Sequence, residues 1–283
     1  MMKIYVLGHK GMLGRYVYTY LKSQGHFTVG ISRDEFDAAS YTEVQLRAVL
    51  FHKKLNKGDV IINCIGTIKP MVDKHGTLNA IKVNSLFPHL LANVCEKEGY
   101  NMIHITTDCV FSGNLGNYNE NSPHDCTDVY GKSKSLGEPE NCTVVRTSII
   151  GEEIGSSRSL LEWIKSMKGK TANGYTNHDW NGLTCLQVAK VFEDIIVNNK
   201  YWNGVRHVFS NTVNKYELLN TISWIYGLNV TVTPTEASVK CDRSMTTTFN
   251  TRESIMNSIT FDIPNLETQI IEQRDFYPIL FGN

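Results

Sequence analysis

Lys3-Ile4-Tyr5-Val6-Leu7-Gly8-His9-Lys10-Gly11-Met12-Leu13-Gly14 runs from a short apolar segment into three glycines spaced G-x-x-G-x-x-G and on into an amphipathic stretch. The apolar run reads as a buried strand, and the 3.6-residue spacing of apolar side chains from Met12 to Ser23 reads as the helix after it. Glycines at such a junction permit a tight turn and let backbone N–H groups at the helix N-terminus approach a pyrophosphate. Gly8, Gly11 and Gly14, with Met12 and Leu13 between the last two, are therefore candidate dinucleotide-binding residues. The apolar run is too short for a secretory leader, so a cytoplasmic protein is expected.

The strand–helix unit repeats. Strands are expected at Lys3 to Leu7, Thr28 to Ser32, Val60 to Cys64, Met102 to Thr106 and Thr143 to Thr147. Helices are expected between them at Met12 to Ser23, Thr42 to Lys54, Leu78 to Glu98 and Tyr130 to Leu136. This alternation is the signature of βαβ units around a parallel sheet. The expected fold is α/β, a Rossmann-like doubly wound parallel sheet with a smaller C-terminal α/β substrate lobe. Residues 1–150 are assigned to the nucleotide-binding domain and 151–283 to the lobe, interleaved with the first in one compact body. Helices in the lobe are expected at Ser159 to Met167, Leu186 to Val197, Lys215 to Tyr226 and Leu266 to Phe276.

Composition narrows the classes of function. The 283 residues are 41% hydrophobic, and no apolar run approaches the ~20 residues of a membrane helix. Lys+Arg and Asp+Glu both total 28, so no net field draws the chain to nucleic acid or an acidic membrane, and neither is an expected partner. The seven cysteines (Cys64, Cys95, Cys109, Cys126, Cys142, Cys185, Cys241) contain no CxxC pair and are odd in number, which argues for reduced thiols and no metal site.

The end of the second expected strand carries Ser32-Arg33 where an NAD enzyme places a carboxylate on the adenosine ribose. A guanidinium there suits a 2′-phosphate, so NADPH is the expected cofactor, with NADH open because Asp34 and Glu35 follow. Asp37 is a candidate for the adenine, and Asn63, Cys64 and Gly66 for the length of the dinucleotide. Tyr130 and Lys134 lie four residues apart, on one face of a short helix, where an ammonium can lower the phenol pKa from its ordinary ~10. Lys134 is also a candidate for the nicotinamide ribose. Thr107 follows a strand C-terminus, where ligands bind, and its hydroxyl suits a substrate ketone and its developing oxyanion.

On Gly8/Gly11/Gly14, Thr107-Asp108-x-Val110-Phe111, Tyr130/Lys134, Arg146-Thr147-Ser148 and Asn181-Gly182-Leu183-Thr184, the chain resembles the extended short-chain dehydrogenase/reductase superfamily, and within it the dTDP-4-dehydrorhamnose reductase family. The resemblance runs from Lys3 to about Phe276. It implies that Thr107, Tyr130 and Lys134 are the catalytic threonine, tyrosine and lysine, and that Arg243 meets the pyrophosphate of a sugar nucleotide. The implied activity is NADPH-dependent reduction of the 4-keto group of a UDP- or dTDP-linked 4-keto-6-deoxyhexose to a rhamnose-type sugar.

Two departures from that pattern stand out. Cys109 replaces the family's tyrosine after Thr-Asp, as in the similar stretch of GDP-fucose synthases and plant-type UDP-rhamnose synthases, which epimerise before they reduce. The stretch Tyr175-Thr176-Asn177-His178-Asp179-Trp180-Asn181 is also richer in aromatic and imidazole groups. Cys109, its thiol lowered by Lys134, with His178 or a lysine such as Lys165, is thus a candidate 3,5-epimerase pair. Trp180 and Asn181 are candidates for the sugar. Alternatives are a non-catalytic NADP-binding subunit of the methionine adenosyltransferase beta type, and a nucleotide-sugar epimerase or dehydratase. A homodimer is compatible with the sequence.

Overall fold

The structure, a computed structural model, describes residues 2–154, 159–249 and 260–282. At its centre are β1 (Ile4–Leu7), β2 (Thr28–Ile31), β3 (Val60–Asn63), β4 (Asn101–Thr106), β5 (Thr143–Arg146) and the strand Gly204–His207. All neighbours pair in parallel, in the order Gly204–His207, β5, β4, β3, β1, β2. The order reverses at β1 and β3, so the crevice beyond their C-terminal ends is the switch point where such sheets bind ligands.

Every residue of β1 and β3 is buried, as a strand covered by helices on both faces requires. Ile4, Val6, Val60 and Ile62 pack with α1 (Met12–Ser23) and the helix Cys185–Val197. Tyr5, Leu7 and Ile61 face the other way, toward α2 (Glu43–His52) and the helix Phe87–Glu98.

The sequence pattern places no strand at Gly204–His207, whose Gly-Val-Arg-His lacks an apolar run; the structure pairs it with β5. The chain from 151 onward therefore returns to the first body three times, with the helix Cys185–Val197 on α1, with this edge strand, and with the C-terminal helix Leu266–Phe281, whose Phe276 packs on Tyr16 and Tyr20 of α1. The helix expected over Leu78 to Glu98 begins as Thr77–Ala80 and passes through a π-helical turn, Ile81–Leu86, before Phe87–Glu98. Pro88 has no N–H for the carbonyl of Asn84 four residues earlier, which frees that carbonyl. Gly137 packs so close to it that a Cβ there would lie 1.7 Å away. A further helix, Lys69–His75, with a proline in its first turn, has no counterpart in the sequence pattern.

The lobe pairs Thr171–Tyr175 with Thr231–Thr235, and sets His178–Trp180 between Val213–Asn214 and Cys241–Asp242. Glu152, 2% exposed, ties the two parts together. It accepts hydrogen bonds from Tyr16 of α1, from Tyr226 (2.7 Å) and from Lys165 (3.1 Å).

Candidate active site

The glycine turn is built for close approach. Gly8 has φ +76°, and a Cβ on Gly14 would lie 2.2 Å from the Gly8 carbonyl oxygen. No side chain caps α1, whose N-cap is Gly11, so its first N–H groups are open to a ligand. A cavity of about 370 Å³, large enough for part of a dinucleotide, is lined by Gly8, Gly11, Ser32, Arg33, Asp37, Cys64 and Gly66. Met12 lines a second hollow that shares Gly11, and Leu13 is buried in the core. Asn63 plays a different part from the one expected of it. Fully buried, it donates to His104 Nδ1 (3.1 Å) and accepts the Ile65 N–H (3.1 Å), which shapes the loop rather than lining the cavity.

At the ribose end, Arg33 pairs with Asp37 (3.1 Å). Lys10, to which the sequence pattern assigns no role, pairs with Asp34 (2.8 Å) in the same cavity. Lys10 holds the Asp34 carboxyl below its usual range. Glu35 bonds Lys53 and the Ser32 N–H, so the acids that could serve NAD are engaged with cations or backbone.

Thr107 caps the short turn Asp108–Val110, accepting the Cys109 N–H (3.2 Å) and donating to Asp108 Oδ1 (3.1 Å). Tyr130 comes from the helix Val129–Ser135, capped by Asp128. Helix and turn touch at Gly131, where a Cβ would lie 2.4 Å from the Cys109 carbonyl oxygen. That contact brings Tyr130 close to Thr107, whose side chain acts on the phenol. Burial pushes the Tyr130 pKa well above its ordinary value.

The expected depression of that pKa by Lys134 is not what the structure shows. The Lys134 ammonium donates to the Ile105 carbonyl (3.1 Å), and burial lowers its own pKa to about 8. Nor does Lys134 activate Cys109. Burial, with Asp108, pushes that thiol up to about 12, and the cation beside it is Arg243, whose Nη1 lies 4.0 Å from Sγ. Arg243 also donates to the carbonyls of Phe111 (3.0 Å) and Ser112 (3.5 Å) and, among the described residues, makes no ion pair.

The other candidates are not gathered there. His178 bonds the Val239 carbonyl (3.0 Å) against Tyr175 (ring centroids 4.7 Å). Lys165 is held by Glu152 and Glu162. Asn181 clamps the Met245 backbone with both ends of its amide (2.8 and 2.9 Å). Trp180, 5% exposed, lies in the lobe core with Lys215 over its ring (5.0 Å). Lys215, whose position the sequence did not reveal, lies over the Trp180 ring, brought there by the pairing of Val213–Asn214 with His178–Trp180. Among the described residues no cluster of three or more His, Cys, Asp or Glu could hold a metal, and no helix is long and apolar enough to cross a membrane.

A doubly wound parallel sheet with a glycine turn at its switch point and Thr107, Tyr130 and Lys134 beyond the strand ends defines the extended short-chain dehydrogenase/reductase class. Within it, residues 2–157 match the model of the RmlD substrate binding domain, and the chain belongs to that family. It is 29% identical over 151 residues to a dTDP-4-keto-6-deoxy-D-glucose reductase of Streptomyces niveus, covering 50% of this chain and 51% of that one. It is 28% identical over 159 residues to a dTDP-4-dehydrorhamnose reductase of Mycobacterium tuberculosis (52% and 49% covered). These matches span about half the length of the relatives. The fold is that of dTDP-4-dehydrorhamnose reductase from Bacillus anthracis, solved in complex with NADP, with a TM-score of 0.79, 17% identity, and 97% of this chain and 99% of that one covered.

Proposed function

We propose that the protein reduces the 4-keto group of a UDP- or dTDP-linked 4-keto-6-deoxyhexose with NADPH, giving a rhamnose-type sugar. The observation that carries this reading is the contact of Gly131 with the Cys109 carbonyl, which sets Tyr130 against Thr107 beyond the strand ends. The cofactor fits the residues present, because Gly14 lets the helix start close against the Gly8 backbone in the turn that would hold the pyrophosphate and because Lys10 and Arg33 line the cavity at the expected ribose end. NADPH supplies the hydride when bound. Tyr130 and Thr107 both donate to the ketone oxygen, and Tyr130 gives it a proton. A phenol whose pKa is raised by burial keeps that proton at neutral pH until the oxygen gains charge, which suits reduction rather than oxidation. Lys134, beside the Gly66 backbone, holds the ribose.

The test is loss of NADPH absorbance on adding the dTDP- and UDP-linked 4-keto sugars separately. Turnover with one or both is expected, and no oxidation with either refutes the reading. A finer reading adds 3,5-epimerisation in the same site, favoured by Cys109 standing beside Thr107 and Arg243. The parent enzyme without NADPH would then take up deuterium from D₂O at C3 and C5, and Cys109→Ser would not. A parent that exchanges neither position is a plain reductase.

A further inference from the structure

Arg146 ends β5 with its guanidinium inside the protein, 2% exposed. All three of its nitrogens are engaged. Nε and Nη2 grip the two carboxylate oxygens of Glu138 (3.0 and 2.5 Å), Nη1 donates to His207 Nε2 (2.8 Å), and Nη2 donates also to His124 Nε2 (2.7 Å). The guanidinium face rests on the Phe111 ring, 5.2 Å from its centroid. A buried ion pair is on average no more stable than well-packed apolar side chains of the same volume, so what this hub orients matters more than what it adds to stability.

Its partners belong to the two elements that carry the proposed chemistry. Glu138 follows Gly137, whose N–H donates to the Lys134 carbonyl (3.0 Å). His124 Nδ1 meets the hydroxyl of Ser135, the residue after Lys134, at 2.6 Å. Phe111 closes the turn that Thr107 opens, its N–H donating to the Asp108 carbonyl (2.9 Å). The close approach at Gly131 joins the helix Val129–Ser135 to the turn Asp108–Val110 at one point, and two bodies that meet at one point still pivot about it. Arg146 is a second point of attachment, on the far side of both.

One arm of the hub is open to solvent. Glu138, His207 and Phe111 are 6%, 5% and 0% exposed, whereas the His124 side chain is 26% exposed. A guanidinium only donates, so His124 must present an unprotonated Nε2 to it and carry its proton on Nδ1, toward Ser135. A second proton, on Nε2, sets two donors 2.7 Å apart and ends the contact. The charges facing His124 are Arg146 from β5, Glu138 from beyond the catalytic helix (Oε2 3.8 Å from Nε2), and Asp125 from its own segment, whose carboxylate is held by the Ser112 N–H and hydroxyl; His207, on the edge strand, shares Arg146 with it. Burial and Arg146 prevail over the two carboxylates and lower the His124 pKa below its ordinary 6.5.

We propose that Arg146 is a positioning residue for the reaction: it fixes the angle between the helix that carries Tyr130 and Lys134 and the turn that carries Thr107, and it holds that angle only while His124 accepts its hydrogen bond. The inference deepens the 4-ketoreductase reading, on which its kinetic test rests.

The experiment follows kcat and KM for a nucleotide-linked 4-keto-6-deoxyhexose with NADPH between about pH 5 and 8 in the parent, His124→Gln, His124→Ala and Arg146→Lys. Glutamine places an amide oxygen near the position of Nε2, where it accepts without titrating. The parent is expected to lose turnover on acidification below the ordinary imidazole range, and His124→Gln to lose this acid limb. His124→Ala is expected to lower kcat about tenfold or more at every pH, with KM changed less than about threefold, and His124→Gln to restore most of that loss. Arg146→Lys keeps the charge without the fork and is expected to lower kcat on the order of 10²-fold. A merely structural hub would move Tm and leave kcat per folded enzyme and its pH profile unchanged. An acid limb in His124→Gln equal to the parent's, or a folded His124→Ala or Arg146→Lys enzyme with parental kcat, overturns the proposal; the His124 pair keeps it falsifiable where Arg146→Lys does not fold. The same pH series is read without substrate, on the NADP-bound enzyme, from the NMR amide resonances of Cys109 in the turn and Ser135 in the helix. They are expected to titrate with one common midpoint in the parent and to stay still in His124→Gln. Separate midpoints, or no titration, overturn the proposal, whereas a common midpoint in a parent that reduces no 4-keto sugar upholds it and refutes the ketoreductase reading.

Discussion

Replacing Gly131 by alanine puts a methyl group 2.4 Å from the Cys109 carbonyl oxygen and 2.8 Å from the Cys126 Cβ, where ordinary contact begins near 3.4 Å. The helix Val129–Ser135 and the turn Asp108–Val110 must part by about 1 Å, the difference between 3.4 and 2.4 Å. Both obstructing atoms belong to backbone or Cβ, so no rotamer change relieves the clash. The stability effect is mixed. Overpacking costs about 1–3 kcal/mol, whereas alanine in a helix is about 0.5–1 kcal/mol better than glycine, leaving a net loss of at most about 2.5 kcal/mol. The catalytic effect is larger, because Tyr130 and Thr107 must meet one oxygen, and a misplacement of about 1 Å costs on the order of 10²-fold in rate. Steady-state NADPH oxidation, NADPH binding by fluorescence and thermal unfolding together separate the outcomes. Turnover is expected to fall about 10²-fold with NADPH Kd near the parent value and a folded protein. A folded Gly131→Ala enzyme with parental kcat/KM would refute the claim that this contact sets the catalytic geometry.

Tyr130→Phe removes the proton donor and is expected to lower kcat by about 10²–10⁴-fold while thermal stability holds; near-parental turnover would eliminate Tyr130 as the acid. Lys10→Ala and Arg33→Ala are each expected to erode the NADPH preference about tenfold or more, with little effect on NADH, as judged by the ratio of kcat/KM for the two cofactors. Stability should depend on pH through His207, whose Nε2 accepts from Arg146 (2.8 Å) while Nδ1 meets the Thr246 carbonyl (2.8 Å). Burial, with the Arg146 guanidinium, lowers its pKa from 6.5 to about 4. Above pH 6.5 neither state binds the proton and the full stability is present; between 6.5 and about 4 only the unfolded chain binds it, so stability falls on acidification by on the order of 3 kcal/mol. His207→Gln should flatten the drop in Tm over that window, and an unchanged drop would assign it to other groups.

The nucleotide-binding half was legible because its signals are local. Each buried strand is a continuous apolar run, the glycines mark the turn, and Tyr130, Gly131 and Lys134 lie within one helix. What escaped depends on contacts far apart in sequence. Gly204–His207 is a strand only because β5 offers it an edge. Lys10 becomes a cofactor candidate once Asp34, 24 residues on, shares its cavity. Lys215 reaches the Trp180 ring through strand pairing in the lobe, whereas His178, two residues from Trp180, bonds the Val239 carbonyl. The directions of the Tyr130 and Cys109 shifts also depend on burial, which a four-residue spacing does not report.

The return of the chain onto the first body bears on how this protein is made. Leu186, Val188, Ala189, Phe192 and Ile195 lie in one cluster with Ile4, Val6, Tyr16 and Val17, which are nearly 200 residues older on the ribosome. Until the helix Cys185–Val197 emerges, the apolar face of α1 that packs on it has no cover, and the edge of β5 stays unpaired until Gly204–His207 follows. A nascent chain halted near residue 150 would carry its whole glycine motif and catalytic set yet expose an apolar helix face and an open edge, a combination prone to aggregation. The cofactor half of this chain is therefore not a separable module, and shortening the protein to its recognisable motif would remove the segments that let the motif fold.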